Sequence, residues 1–348
     1  MSTAQSTPSK YAEQLTDWLV ELGYTHCFFV AGGNIMHLLD GARTRFTCIP
    51  VVHEVAAGIA VEYFNEANGT GRAFAMVTAG PGVSNIITAM SGAWLESREL
   101  LVIAGQVKSQ DLATGGIRQR GIQEIDGVGI MRPITKESVL VEAPMTFAEL
   151  ERLTELSREG RKGPVFIEMC IDITAREVDA KPGTRANASV NKKNPSSSEI
   201  ESIVDLVSKA ERPIFLFGGG LSRACVDQSV SLMESIGIPA AMTWNGADRL
   251  PLAHPLNFGR PNTYGMRRGN ILLQQSDLVI ALGTRLGLQQ TGFAWEKFIP
   301  LGKLVQVDID PNELSKKSPN VDIPISADAD LVFEAILKAL NKSGKVQR

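Results

Sequence analysis

The stretch Val51-Val52-His53-Glu54-Val55-Ala56-Ala57-Gly58-Ile59-Ala60 places one acid where an apolar strand turns into a helix. Farther on, Thr78-Ala79-Gly80-Pro81-Gly82-Val83-Ser84-Asn85 runs a second strand into a tight Gly-Pro-Gly loop. A carboxylate in the first turn of a helix is favoured by the helix dipole, so Glu54 alone reads as a helix-end charge. Its surroundings change that. Ala56, Ala57, Ile59, Ala60 and Tyr63 form an apolar face of mostly small residues, which predicts a packed helix and a buried Glu54 at a strand end. Ligands of parallel sheets bind at the carboxyl ends of strands. A partly buried carboxylate there needs a partner that can hydrogen-bond to it. Gly80-Pro81-Gly82 could be an ordinary strand-to-helix turn. Beside Glu54, and with Asn85 opening the following helix, its glycines would instead let the backbone approach a flat ring.

The elements that must position these residues can be read from the same chain. Residues 8–22 predict an amphipathic helix, with Leu15, Trp18, Leu19 and Leu22 at helical spacing. Cys27 to Ala31 predicts a short strand stopping at Gly32-Gly33, and Thr47 to Val52 another, followed by a helix over 54–67. Ala73 to Thr78 and Leu100 to Ala104 repeat the strand pattern around a helix near 83–96, and Pro164 to Cys170 is a later strand. Short apolar runs alternating with helices predict an α/β fold with parallel, helix-covered sheets. Residues 1–175 form a first domain on this reading. Residues 176–198, rich in Ala, Asn, Lys, Pro and Ser, read as a linker. Residues 199–348 form a second α/β domain. Its strands end in Gly218-Gly219-Gly220, in Gly283-Thr284-Arg285 and in Asp310-Pro311, and a helix near 328–341 closes it.

Gly218-Gly219-Gly220 carries two readings, a plain strand-helix turn or a nucleotide lying on the second domain. The dinucleotide fingerprint requires a further glycine at fixed spacing. Leu221, Ser222, Arg223, Ala224 and Cys225 follow, so that fingerprint fails and a nicotinamide-dependent oxidoreductase is disfavoured.

Composition closes off other classes. With 44% hydrophobic and 21% charged residues the chain of 348 residues reads as globular, with length for two domains. Net charge is −3 and no basic block interleaves with aromatics, which leaves nucleic-acid binding without support. Residues 1–10 are polar and lack an apolar signal core, and no apolar run is long enough to span a bilayer. The four cysteines (Cys27, Cys48, Cys170, Cys225) are scattered, as suits a reducing cytoplasm. His26, His37, His53 and His254 do not cluster at metal-ligand spacing, so no metal site is expected in this chain.

The chain resembles the acetolactate synthase-like family of thiamine-diphosphate enzymes from about Tyr11 to Leu340. In the first domain the resemblance rests on Val30-Ala31-Gly32-Gly33, His53-Glu54, Ala79 to Asn85, Ala104-Gly105-Gln106-Val107, Gln123-Glu124, Ile134-Thr135-Lys136 and Arg161-Lys162-Gly163-Pro164-Val165. In the second it rests on Gly218-Gly219-Gly220, Gly283-Thr284-Arg285 and Asp308-Ile309-Asp310-Pro311. It implies two doubly wound parallel-sheet domains: a pyrimidine-binding domain and a Rossmann-like middle domain. It further implies that Glu54 hydrogen-bonds a ring nitrogen of the cofactor's aminopyrimidine and so promotes activation of the thiazolium carbon toward a 2-oxo acid such as pyruvate. The matching glutamine, Gln123, would lie near the reacting thiazolium. Gly32, Gly33, Thr78, Gly80, Pro81 and Asn85 would line the thiamine diphosphate. Arg161, Gly218, Gly219, Gly220, Thr243, Asn245, Gly283, Thr284, Arg285, Asp308 and Asp310 are the positions implied for FAD or another nucleotide.

Three local departures mark the chain. Ile122 stands where the family has an aromatic residue, Tyr63-Phe64-Asn65 replaces Tyr-Ala-Arg, and Gly259 to Gly265 fits the family's flavin loop only loosely. The largest departure is that no Gly-Asp-Gly occurs in this sequence. The family uses that motif, with a later asparagine, to hold the diphosphate through Mg2+. The resemblance therefore implies a subunit of a split, heteromeric carboligase or decarboxylase, with Mg2+ and the diphosphate domain on a second polypeptide. A homodimer, or a heterotetramer with that partner, is expected. A fragment of a full-length enzyme and a non-catalytic nucleotide-binding regulatory module are the alternatives.

Overall fold

A computed structural model describes residues 8–67, 69–185 and 192–344, and these form two compact units divided at 190/191. The first runs β1 (Pro8–Lys10), α1 (Tyr11–Glu21), β2 (Tyr24–Phe29), α2 (Met36–Ala42), β3 (Thr47–Pro50), α3 (Glu54–Ala67), β4 (Arg72–Val77), α4 (Pro81–Glu96) and β5 (Leu100–Gln106). It continues with α5 (Gly127–Met131), β6 (Glu137–Val141), α6 (Phe147–Leu156), β7 (Pro164–Cys170), α7 (Ile171–Ala175) and β8 (Glu177–Asp179). Six strands make one parallel sheet in the order β3-β2-β4-β5-β7-β6.

The central strands β4, β5 and β7 are buried at every residue, as parallel strands with covered faces must be. The two-residue period of a strand divides β5 between two cores. Leu101 and Ile103 join Leu15, Leu19 and Leu150 on one face. Leu100, Val102 and Ala104 join Ala57, Val61, Ile86 and Met90 on the other.

Helix α1 begins later than its periodicity predicts. Pro8–Lys10 is extended and pairs antiparallel with β8, and the Lys10 N–H is held by the Glu13 carboxylate at 3.1 Å. This pairing also corrects the expected linker. Residues 177–179 belong to the first unit, and the Lys181 carbonyl accepts hydrogen bonds from Gln14 and Trp18 of α1 at 2.7 and 2.9 Å. At the other end, Ser196 already caps the first helix of the second unit through the Glu199 N–H. Residues 186–191 lie outside the described residues.

The buried face of α3 is rotated from the expected one. Ala57, Gly58 and Val61 face inward, whereas Ile59 and Tyr63 are exposed. Gly58 decides the rotation: a Cβ there would stand 2.5 Å from that of Ala89, so α3 meets α4 at that glycine.

The second unit runs α8 (Ser197–Lys209), β9 (Pro213–Phe217), α9 (Arg223–Ile236), β10 (Ala240–Met242), α10 (Arg267–Gln275), β11 (Leu278–Leu282), α11 (Leu288–Thr291), β12 (Lys303–Asp308), α12 (Pro311–Ser315), β13 (Ile323–Ser326) and α13 (Ala329–Ser343). Its parallel sheet has the order β10-β9-β11-β12-β13 and again separates two cores. Among the described residues no helix is long and apolar enough to cross a membrane.

A buried charge holds the amino edge of the first sheet. The Arg72 guanidinium reaches Glu99 at 2.6 Å and the Thr154 carbonyl at 2.9 Å, and lies 4.3 Å above the Tyr24 ring. Removing one member of a buried pair strands the other. Arg72→Met is expected to destabilise the first unit by about 3 kcal/mol, read as a lower urea midpoint of the full chain.

Candidate active site

The carboxyl ends of β2, β3, β4 and β5 converge on one edge of the first sheet and carry most of the residues singled out above. Glu54 opens α3 directly after β3. His53, exposed, accepts the Val55 N–H on its Nδ1 at 3.2 Å and so caps the first turn. Glu54 itself is only 7% exposed. Its Oε2 accepts a hydrogen bond from the Asn85 side-chain amide at 2.9 Å. Among the described residues nothing donates to its Oε1, which lies beside Gly82, 3.5 Å from where a Cβ would stand. The group is thus a buried carboxylate with one oxygen anchored and the other held open, which suits a ligand N–H.

The Gly80-Pro81-Gly82 turn fixes this geometry. Gly80 has φ +63°, a conformation that favours glycine, and a Cβ there would stand 2.3 Å from the Gln123 carbonyl oxygen. Pro81 begins α4, where its missing N–H costs nothing. Gln123, exposed and itself at φ +63°, is therefore laid directly against the turn beside Glu54. Gly32 presses on Thr78, whose Cβ is 2.3 Å from a built Cβ, and Gly33 faces open space.

The structure also places residues to which the sequence reading gave no role. Asn34 donates its N–H to Thr78 Oγ1 at 3.3 Å, and Gly105 packs on the Asn34 carbonyl. Glu124, 8% exposed, accepts the N–H groups of Ala113, Arg120 and Gly121 at 2.5 to 2.9 Å. Burial pushes its pKa up, but these three donors prevail and hold it below the usual glutamate value. The Gln123-Glu124 dipeptide was visible in the sequence; that Glu124 ties down the loop leading to Gln123 was not. Arg161, implied for the nucleotide, belongs to the first unit. It precedes β7 at the opposite end of the sheet and donates to Ser97 Oγ at 2.9 Å.

In the second unit the positions implied for a nucleotide also gather at strand carboxyl ends. Gly218 and Gly220 cross Gly283 so closely that built Cβ atoms would meet its backbone at 2.2 and 2.9 Å, and the Gly220 N–H donates to the Gly283 carbonyl at 2.9 Å. Mutual packing of the two turns thus accounts for these glycines. Gly219 abuts Asn245. Thr243 and Thr284 are buried and Arg285 is exposed. Asp310 caps α12 through the Asn312 N–H, and Asp308 accepts the Asp310 N–H, both at 2.9 Å. A hollow of about 220 Å3 near this edge is lined by Trp244, Arg260, Asn262, Tyr264, Gly265 and Met266. Trp244 was not singled out from the sequence, whereas Asn262 lies in the Gly259 to Gly265 loop.

Two family models match the chain. Residues 9–130 match the thiamine pyrophosphate enzyme N-terminal TPP binding domain, and residues 200–336 match the thiamine pyrophosphate enzyme central domain. The chain belongs to the acetolactate synthase-like thiamine pyrophosphate enzymes. It is 33% identical over 338 residues to the acetolactate synthase isozyme 1 large subunit of Escherichia coli, covering 94% of this chain and 57% of that one. It is 31% identical over 344 residues to the acetolactate synthase large subunit of Corynebacterium glutamicum, covering 95% and 53%. It is 32% identical over 334 residues to the large subunit of Mycobacterium tuberculosis, covering 92% and 52%. The chain thus spans about half the length of the curated relatives it matches. For a member of this family, the Glu54 edge lies in the half that the N-terminal match covers.

Gly80→Ala is expected to force a methyl group into the Gln123 carbonyl from a strained φ. The expected cost is about 1–3 kcal/mol, with faster amide exchange concentrated near 121–125. Unchanged exchange in that segment would show that the turn and the loop are independent.

Proposed function

We propose that this chain supplies the pyrimidine-binding half of a thiamine-diphosphate-dependent 2-oxo acid carboligase or decarboxylase. The observation that carries this reading is the Glu54 carboxylate: buried, anchored on one oxygen by Asn85 and open on the other. The residues at this edge fit the aminopyrimidine of thiamine diphosphate. Glu54 would accept a hydrogen bond at its open oxygen, while Gly80 and Gly82 allow the flat ring to lie against backbone. Gln123, held against the Gly80 turn, would lie near the reacting carbon. When bound, the cofactor supplies a nucleophilic carbon toward the substrate carbonyl. The chain's own part is to orient the ring, exclude water from Glu54 and hold the charge that keeps the ring nitrogen protonated.

The Mg2+ that holds a diphosphate needs hard oxygen ligands from the protein as well as from the phosphates. Among the described residues no group of three or more His, Cys, Asp or Glu side chains converges for a metal, and the sequence has no Gly-Asp-Gly. We assign that function to residues outside these 348. A partner would also cover apolar side chains around the site: Val52 is fully exposed, Ile122 84% and Met36 51%. Ile59, Tyr63, Trp94 and Leu95 on α3 and α4 are exposed as well and suit a second copy of this chain. FAD or another nucleotide is assigned to the carboxyl edge of the second sheet, near Thr243, Asn245, Thr284 and Arg285. All four cysteines are free thiols, as a reducing compartment such as the cytoplasm favours.

Three outcomes are expected. With thiamine diphosphate, Mg2+ and pyruvate, the chain alone shows no turnover, and adding a diphosphate-domain polypeptide restores it; substantial turnover by the chain alone overturns the split arrangement. In the reconstituted enzyme, Glu54→Gln lowers kcat about a hundredfold or more with an unchanged circular dichroism spectrum. Near-normal rates in that variant reduce Glu54 to a helix-end charge. Light scattering of the isolated chain gives a dimer mass, and a monomer that also binds no diphosphate-domain partner favours the regulatory-module alternative.

A further inference from the structure

Behind the Gln123 loop lies a carboxyl group that the reaction above does not use. Glu168 belongs to β7 and is 1% exposed. Its neighbours Ile167 and Met169 join the core on the α1 face of the sheet, and Phe166 joins the other core. Strand alternation therefore turns Glu168 toward the α4 and α5 face. It sits opposite Ala104 of β5. Two residues farther along β5, on that same face, Gln106 is 2% exposed and makes a bridge. Its Oε1 accepts the Val107 N–H at 2.8 Å, and its Nε2 donates to the Ile125 carbonyl at 3.0 Å. Gln106 thus ties the end of β5 to the chain just after Gln123-Glu124.

Glu168 supports that tie from behind. Its Oε1 is buried without a hydrogen-bond partner. Gly127 packs so tightly on it that a Cβ there would stand 2.4 Å from the oxygen. Burial pushes the Glu168 pKa up to about 7, opposed by the nearby Gln106 amide and Val128 N–H and reinforced by the Asp126 carboxylate that caps α5. The groups whose charge couples to it are Asp126, at the start of α5, and Cys170, on β7 itself. A neutral carboxyl tolerates this pocket. An ionised one needs donors, draws in water, and competes with Ile125 for the Gln106 amide protons.

We propose that Glu168 is the positioning residue for Gln123: through Gln106 and the Gly127 contact it fixes segment 123–127 against the Gly80 turn, and its ionisation loosens that segment. The importance of Gln123 rests on the function proposed above; the mechanical coupling does not, and the test separates the two.

Hydrogen–deuterium exchange on the isolated full chain, without cofactor or partner, reads the coupling directly. After correction for intrinsic exchange, wild-type amides of 123–128 are expected to open about tenfold more at one pH unit above 7 than at one unit below. Glu168→Gln keeps the shape, cannot ionise, and is expected to stay protected at both pH values. Gly127→Ala drives a methyl group at the carboxyl and is expected to open the segment at both, with β7 untouched. The global stability carries the same sign. Glu168 binds a proton more tightly folded than unfolded, so wild-type stability falls as pH rises from about 4.5 to about 7, and Glu168→Gln lacks that fall. Identical pH responses of segment 123–128 in wild type and Glu168→Gln overturn the proposal. In the reconstituted enzyme, Glu168→Gln is expected to move the alkaline limb of the kcat profile and leave KM unchanged. An inactive reconstituted enzyme with the exchange pattern intact counts against the function and not against the coupling.

Discussion

A carboxylate taken out of water must be compensated, and the first unit is arranged around meeting that requirement at Glu54. Asn85 can reach Glu54 at 2.9 Å only because α4 starts immediately at the Gly80-Pro81-Gly82 turn. That start is close to α3 only because Gly58 meets Ala89 without a side chain, and Gly82 leaves room beside Glu54 Oε1. Gly32 against Thr78 and Gly105 against Asn34 bring the neighbouring strand ends to the same crowded edge. A side chain at Gly32, Gly58, Gly80 or Gly105 would collide with its neighbour and push apart the elements that keep the carboxylate buried yet half-satisfied.

The second sheet shows the same architecture with a different outcome. Its edge also carries glycines and acids, but they meet their needs within the protein. Gly218 and Gly220 interlock with Gly283, and Asp308 and Asp310 accept backbone N–H groups. The contrast shows why glycine-rich strand ends alone do not reveal a ligand. The distinguishing feature at the first edge is a buried acceptor with an oxygen that the protein leaves open.

Between β5 and α5 the chain runs with a single short turn of 3-10 helix at Ser109–Asp111 and no other regular element. Such a segment must find partners for its backbone polar groups elsewhere. Buried side chains supply them. Glu124 gathers three N–H groups, Gln106 takes the Ile125 carbonyl, and the Asp126 carboxylate accepts the Gly129 N–H at 2.7 Å. The left-handed conformation of Gln123 is sustained by these anchors on either side of it. An irregular loop thereby becomes rigid enough to present one side chain.

The sequence by itself determined the parallel α/β class, the strand cores and the location of Glu54 and the Gly80 turn. Apolar runs of strand length are buried wherever they fall, and glycine and proline punctuate turns by local sterics alone. Helix 54–67 and strand 164–170 were legible to the residue for this reason. Tertiary structure decided the rest. Which face of α3 turns inward was set by Gly58 meeting Ala89, a contact between helices that Ile59 and Tyr63 could not announce. The extended Pro8–Lys10 was set by a partner strand far along the chain. The approach of Gln123 to Gly80, and the place of Gln106 and Glu168 behind it, depend on strand order and register. Adjacent strands in the sheet come from distant parts of the sequence, so no local spacing encodes those neighbours.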